Sequence, residues 1–101
     1  MNGKALFIPL KKCYFDAFAS GRKTVEYRKA GKRWNLKTCT PGREVILSCG
    51  YGKQKRLAGR IQEVFIETDP DEFDPDFISI YGKNANQLSI HINVIKEEKG
   101  E

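Results

Sequence analysis

With 101 residues, 40% of them hydrophobic and 31% charged, the chain can build one core, and wholesale disorder is excluded. No stretch approaches the roughly 18 consecutive apolar residues of a membrane-spanning helix, and no charged leader precedes a signal-like apolar run. The expected location is therefore the cytoplasm, with no membrane partner.

The net charge of +5 is unevenly spread, with 15 Lys/Arg against 4 Asp/Glu in residues 1–66 and 3 against 9 in residues 67–101. Such segregation gives a folded domain a positive face suited to phosphate-bearing partners; the alternative is a solvated basic surface with no partner. Cys13, Cys39 and Cys49 are odd in number and lack CxxC spacing, which reads as buried or half-buried free thiols. His91 is the lone imidazole, so no metal and no cofactor are expected.

In chain order, residues 5–10 read as a short strand that Pro9 places at an edge or an end. Residues 11–20 read as a helix of about three turns. Its Tyr14, Phe15 and Phe18 share a core-facing side, while Lys12, Asp16 and Ala19 lie around the other. Gly21 follows as the residue that closes the helix in the left-handed conformation. Residues 24–28 alternate as a strand, with Val25 and Tyr27 on one face and Thr24, Glu26 and Arg28 on the other. The stretch 29–37 is basic, has no period and holds the single tryptophan, Trp34; residues 40–42 then form a turn.

Residues 44–49 and 57–68 read as two further strands, joined by an exposed hairpin loop over 50–56. The acidic segment 67–76 breaks the β pattern. Pro70 and a missing loop glycine spoil a calcium-loop template, so it reads as an exposed loop opening a short helix near 76–80. Residues 82–87 form another turn. Residues 88–94 alternate cleanly, with Leu88, Ile90, Ile92 and Val94 inward and Ser89, His91 and Asn93 outward. Residues 1–96 make a single domain, and the charged tail 97–101 is expected to fray. The tally predicts an α+β fold, mainly β: a small pseudo-barrel of five or six strands with one or two helices.

Chemistry concentrates just after the first helix, where Arg22, Lys23, Glu26 and Arg28 fall within eight residues of one another. Glu26 and Arg28, two apart on a strand, share a face and can pair or bind something lying over it. A lysine near a carboxylate and an arginine has a tunable pKa. Strand parity directs Lys23 away from Glu26, and the two converge only where the backbone at 23–24 is still leaving the helix turn. The alternative is an ordinary surface ion pair of little stabilising effect.

The pattern Gly21-x-Lys23-x-x-Glu26-x-Arg28 directly follows an aromatic-rich helix and a strand ending near Pro9. Beyond it come a turn with Gly42, an aliphatic strand, and Leu57-Ala58-Gly59-Arg60-Ile61 in the next strand. Over the first two-thirds of the chain this resembles the ASCH (activating-signal-cointegrator homology) domain family, related to the PUA fold. The acidic region after Thr68 matches no part of that pattern. The resemblance implies a PUA-like pseudo-barrel, a cleft lined by the motif, and a role in RNA binding. One bacterial branch of similar size consists of N4-acetylcytidine amidohydrolases, whose proposed triad is a lysine, a threonine three residues later and a distant glutamate. Lys23 matches that lysine, but Glu26 stands where the threonine would be. Thr24 lies in a different direction along the strand, and neither Glu67 nor Glu72 has the context of the distant glutamate.

Two further groups mix basic and aromatic side chains, the usual combination for single-stranded nucleic acid. Tyr51 sits among Lys53, Lys55 and Arg56 in the 50–56 loop, and Trp34 sits among Arg33 and Lys37. A solvated hairpin tip and a core or cleft-wall tryptophan are the plainer readings. The expected function is an RNA-binding or modified-nucleotide-binding module. Lys23 and Arg28, with Arg22 beside them, would hold a phosphate or base carbonyl, and Glu26 would accept from an exocyclic amine or ribose hydroxyl. The alternative is an amidohydrolase acting on a small modified nucleoside such as N4-acetylcytidine, with Lys23 as base or proton relay and Glu26 as its partner. A third reading makes the acidic segment 67–76 a contact surface for a protein partner.

Overall fold

The aliphatic runs become five strands: β1 (Leu6–Leu10), β2 (Val25–Lys29), β3 (Glu44–Cys49), β4 (Arg56–Glu67) and β5 (Gln87–Glu98). Helix α1 (Lys12–Ser20) joins β1 to β2, and α2 (Pro75–Tyr81) precedes β5, in a computed structural model that describes residues 4–98. All five strands share one sheet in the order β1-β3-β4-β5-β2, with β1 parallel to β3 and the other neighbours antiparallel. The sheet curls into a half-barrel, so the fold is the expected small α+β pseudo-barrel, with five strands and two helices. β1 and β2 are its opposite edges although only α1 lies between them in sequence.

Period-two alternation fills the concave side. Leu6, Ile8 and Leu10 of β1 meet Val45 and Leu47 of β3, Leu57 and Ile61 of β4, and Leu88, Ile90 and Ile92 of β5. Phe15 and Phe18 of α1 close the open side of this core. Burying each such side chain fully stabilises the fold by about 1.5–3 kcal/mol.

Curvature has a local cause. The β4–β5 pairing shifts register twice, between Ala58 and Gly59, where Ile95 of β5 is the extra residue, and between Ile61 and Glu63, where Gln62 of β4 is, and bulges of this kind bend and twist a strand. At the first, a Cβ on residue 59 would stand 2.8 Å from the Asn93 carbonyl oxygen, so only glycine fits. The turn into β2 depends on Gly21, whose φ of 84° lets its N–H reach the Phe18 carbonyl and end α1.

Four expectations need correction. The acidic segment opens the short helix expected near 76–80, but a capped 3₁₀ turn stands where a plain loop was expected before it. Asp69 accepts from the Asp71 N–H at the start of a 3₁₀ turn over Pro70–Glu72, and Asp74 accepts from the Asp76 N–H to cap α2, both at 3.0 Å. Phe73 and Phe77 anchor it, buried with their rings edge-on and 5.2 Å apart. Second, Ser89 is buried instead of outward, because the start of α2 lies against that face. The Asp74 N–H donates to Gln87 Oε1 at 2.8 Å, and Gln87 Nε2 donates to Ser89 Oγ at 3.2 Å. Third, Cys13 is exposed on α1, whereas Cys39 is buried and Cys49 half-buried. Fourth, β5 runs on to Glu98, because Glu97 and Glu98 still find partners on β4. Residues 99–101 of the expected tail lie outside the described residues.

Candidate functional site

Where the two sheet edges approach, a cleft of about 150 Å³ opens between β1, the start of α1, β2 and α2. Its floor is the polar face of β2. Glu26, opposite Ile90 of β5, is only 7% exposed, so this carboxylate-bearing face is the one turned inward.

Arg28, two residues along, organises the floor. Its Nε donates to Glu26 Oε2 at 2.6 Å, and its Nη2 donates to the Pro9 carbonyl at 2.7 Å. Trp34 lies against the guanidinium, 4.6 Å from ring centroid to Cζ. An edge strand leaves backbone acceptors unpaired, and the planar arginine fork can serve a carboxylate and such an acceptor together. Arg28 therefore joins β2 to β1 through a side chain. Its donors at Nε and Nη2 are engaged within the protein, which leaves less of it for the phosphate-holding role expected from sequence.

Lys23 does converge on Glu26. It precedes β2, and its N–H still bonds the Ala17 carbonyl of α1 at 3.1 Å, so strand parity does not apply to it. Its Nζ stands 3.9 Å from Glu26 Oε1, a charge pair longer than a hydrogen bond. Three rings surround the ammonium, with centroids at 5.1 Å (Tyr14), 5.2 Å (Tyr27) and 5.6 Å (Phe18).

Burial pushes the Glu26 carboxyl above its ordinary pKa, and the Arg28 and Lys23 cations oppose that rise without cancelling it. Burial raises Tyr14 as well, with Asp76 adding to it, and raises Tyr27 with help from Asp74 and then Glu26. Both phenols thus keep their protons well beyond neutral pH. The cleft presents a carboxylate acceptor at Glu26 Oε1 beside an ammonium donor at Lys23, with Tyr14, Tyr27, Phe77 and Tyr81 as aromatic walls. Asp74 and Asp76 of α2 stand on one side and Lys11 on the other. A flat heterocycle offering an N–H next to an acceptor fits these groups.

The other residues singled out in the sequence fall elsewhere. Arg22 is exposed, and its Nε donates to Ser20 Oγ at 3.0 Å, away from the cleft. Trp34 packs on the core and on Arg28, so it supports the floor without lining it, while Arg33 is exposed with its Cζ 5.4 Å from the same ring. Lys37 is exposed. Tyr51, Lys53 and Lys55 project from the β3–β4 loop. Arg56 lies with its Cζ 5.3 Å above the Phe7 ring and donates to the Gly52 carbonyl at 3.2 Å. That loop is tied to the cleft's border by the Gly50 N–H, which bonds the Leu10 carbonyl at 2.9 Å.

Sequence reasoning missed the walls. Tyr14 reads as core with Phe15 and Phe18, and the contribution of α2 is hidden in an acidic stretch. The Asp74-Pro75 start and the Phe73/Phe77 spacing carry the signal for it.

Among the described residues, no three His, Cys, Asp or Glu side chains gather into a metal site, and no helix is long and apolar enough to cross a membrane. In comparisons with known proteins, no family model and no curated protein matches the chain.

Proposed function

We propose that the chain is a cytoplasmic, ASCH-type binding module that takes one base of an RNA, or one modified nucleotide, into the cleft of Lys23, Glu26 and Arg28. The observation that carries this reading is the Glu26–Lys23 pair. A carboxylate acceptor and an ammonium donor stand 3.9 Å apart on the floor of an aromatic-walled cleft. The Watson–Crick edge of an unstacked base offers the complement, a donor beside an acceptor, and its ring suits aromatic walls. The Gly21-x-Lys23-x-x-Glu26-x-Arg28 pattern supports the same family reading. Isothermal titration with the four ribonucleoside monophosphates and N4-acetylcytidine tests it. Saturable binding of at least one, weakened about tenfold or more by Glu26→Gln, is the expected result. No binding of any of the five contradicts it.

A second reading, hydrolysis of an N-acylated nucleoside, is favoured by the enclosure of Lys23, whose side chain is 18% exposed beside the carboxyl of Glu26. Water would add to the acetyl carbonyl of N4-acetylcytidine, the C–N bond would break, and acetate and cytidine would leave, with Lys23 and Glu26 relaying the proton to the departing amine. Chromatography after incubation decides this: cytidine above the buffer control supports it, and none at enzyme concentrations near substrate removes it.

A further inference from the structure

We propose that the outer face of β1, β3 and β4 carries a second RNA contact, a stacking platform of Phe7, Tyr51 and Arg56 that takes unpaired nucleotides adjoining the one in the cleft. The choice of RNA rests on the cleft reading, whereas the platform's geometry stands apart from it.

Phe7 alternates with the inward Leu6 and Ile8 and so points out of the barrel. Register sets it beside Ile46 of β3 and, through Ile46, beside Ala58 of β4, all half-buried. Together they form an apolar strip across three strands. Tyr51 is 81% exposed, unusual for so large a ring, and its centroid lies 6.1 Å from that of Phe7. The Arg56 guanidinium covers Phe7 from β4, and among the described residues its buried Nε has no acceptor.

Charge selects the occupant. The loop holds Lys53, Lys55 and Arg56 and no acid, whereas Asp74 and Asp76 stand on the α2 side of the cleft. A polyanion is therefore drawn across β1 and repelled from α2. Exposed aromatic surface among lysines suits a chain whose bases are free to stack, since a duplex keeps its base faces covered. The loop is tied to the cleft border by the bond from the Gly50 N–H to the Leu10 carbonyl, so one strand crossing β1 can reach both contacts.

The test is fluorescence anisotropy with labelled octauridylate, against uridine monophosphate and an RNA duplex of equal phosphate count. Tyr51→Ala removes an exposed loop ring, and circular dichroism confirms that the fold is retained. It should weaken octamer binding about 5- to 100-fold and leave mononucleotide binding unchanged. Lys53→Ala with Lys55→Ala should lower the salt slope by about 1.4. Equal octamer affinity in Tyr51→Ala, or a duplex binding as tightly as the octamer, overturns the platform. If the mononucleotide binds and the octamer is no tighter, the platform fails and the cleft stands. If octamer binding needs Tyr51 while no mononucleotide binds, the cleft fails and the platform stands.

Discussion

Arg28 donates its Nη2 to the carbonyl of Pro9 at 2.7 Å, so a side chain bridges strands that lie at opposite edges of one sheet. The same guanidinium holds the buried Glu26 at 2.6 Å. Replacing Arg28 by Met leaves that carboxylate without its partner, and breaking a buried pair in this way costs about 3–5 kcal/mol. Urea denaturation of Arg28→Met should show such a loss. The double variant with Glu26→Gln should recover part of it, because the buried carboxylate is gone, and only part because Lys23 then loses its own charge partner. A loss below about 1 kcal/mol would deny Arg28 this role.

Glu26 also sets a pH dependence. Burial raises its folded pKa above the ordinary 4.5, so the native state holds this proton more tightly than the unfolded chain. The stability it contributes is full below the unfolded pKa and is lost as pH rises through the folded value. Other carboxyls titrate in the same range, so the clean quantity is the unfolding free energy of wild type minus that of Glu26→Gln. This difference should fall as pH rises from about 4.5. A rise over that range would mean that the Arg28 and Lys23 cations outweigh burial.

Gly59→Ala tests the β4–β5 bulge at Gly59. Its methyl group would stand 2.8 Å from the Asn93 carbonyl oxygen and 3.1 Å from Ile92 Cγ2, a crowding worth about 1–3 kcal/mol of destabilisation. Gly31→Ala, with nothing within 4 Å of its new Cβ, is the control and should stay within about 0.5 kcal/mol. Similar denaturation midpoints for the two would show that the sheet can open at this bulge.

Asp74→Ala removes the cap from α2, a loss of about 0.5–2 kcal/mol. Because α2 has seven residues, the change should register locally. Amide exchange should quicken at Ile78 and Gly82, whose N–H groups bond the Asp74 and Ile78 carbonyls. Unchanged protection there would place the anchoring of α2 in Phe73 and Phe77 alone.

Legibility followed hydrophobic pattern. The strand over 44–49 and the glycine stop after Ser20 are local signals, and both elements formed where the residues place them. The inward aliphatics Leu88, Ile90 and Ile92 followed their alternation as well. What stayed hidden depends on partners far away in sequence. The burial of Glu26 follows from the Arg28 fork and the Pro9 carbonyl, and that of Ser89 from Gln87 and the entry to α2. Neither shows in the period of its own strand. Lys23 reached Glu26 because its backbone belongs to the end of α1. No local pattern announced that Tyr14 and Tyr27 would wall the cleft.

The most direct measurement is a two-dimensional amide NMR titration with the mononucleotide that binds most tightly. The cleft reading predicts saturable shifts centred on Lys23, Glu26, Tyr27 and Phe77, lost in Glu26→Gln, with residues 50–56 little changed. Shifts confined to the 50–56 loop, or unaffected by Glu26→Gln, would contradict it.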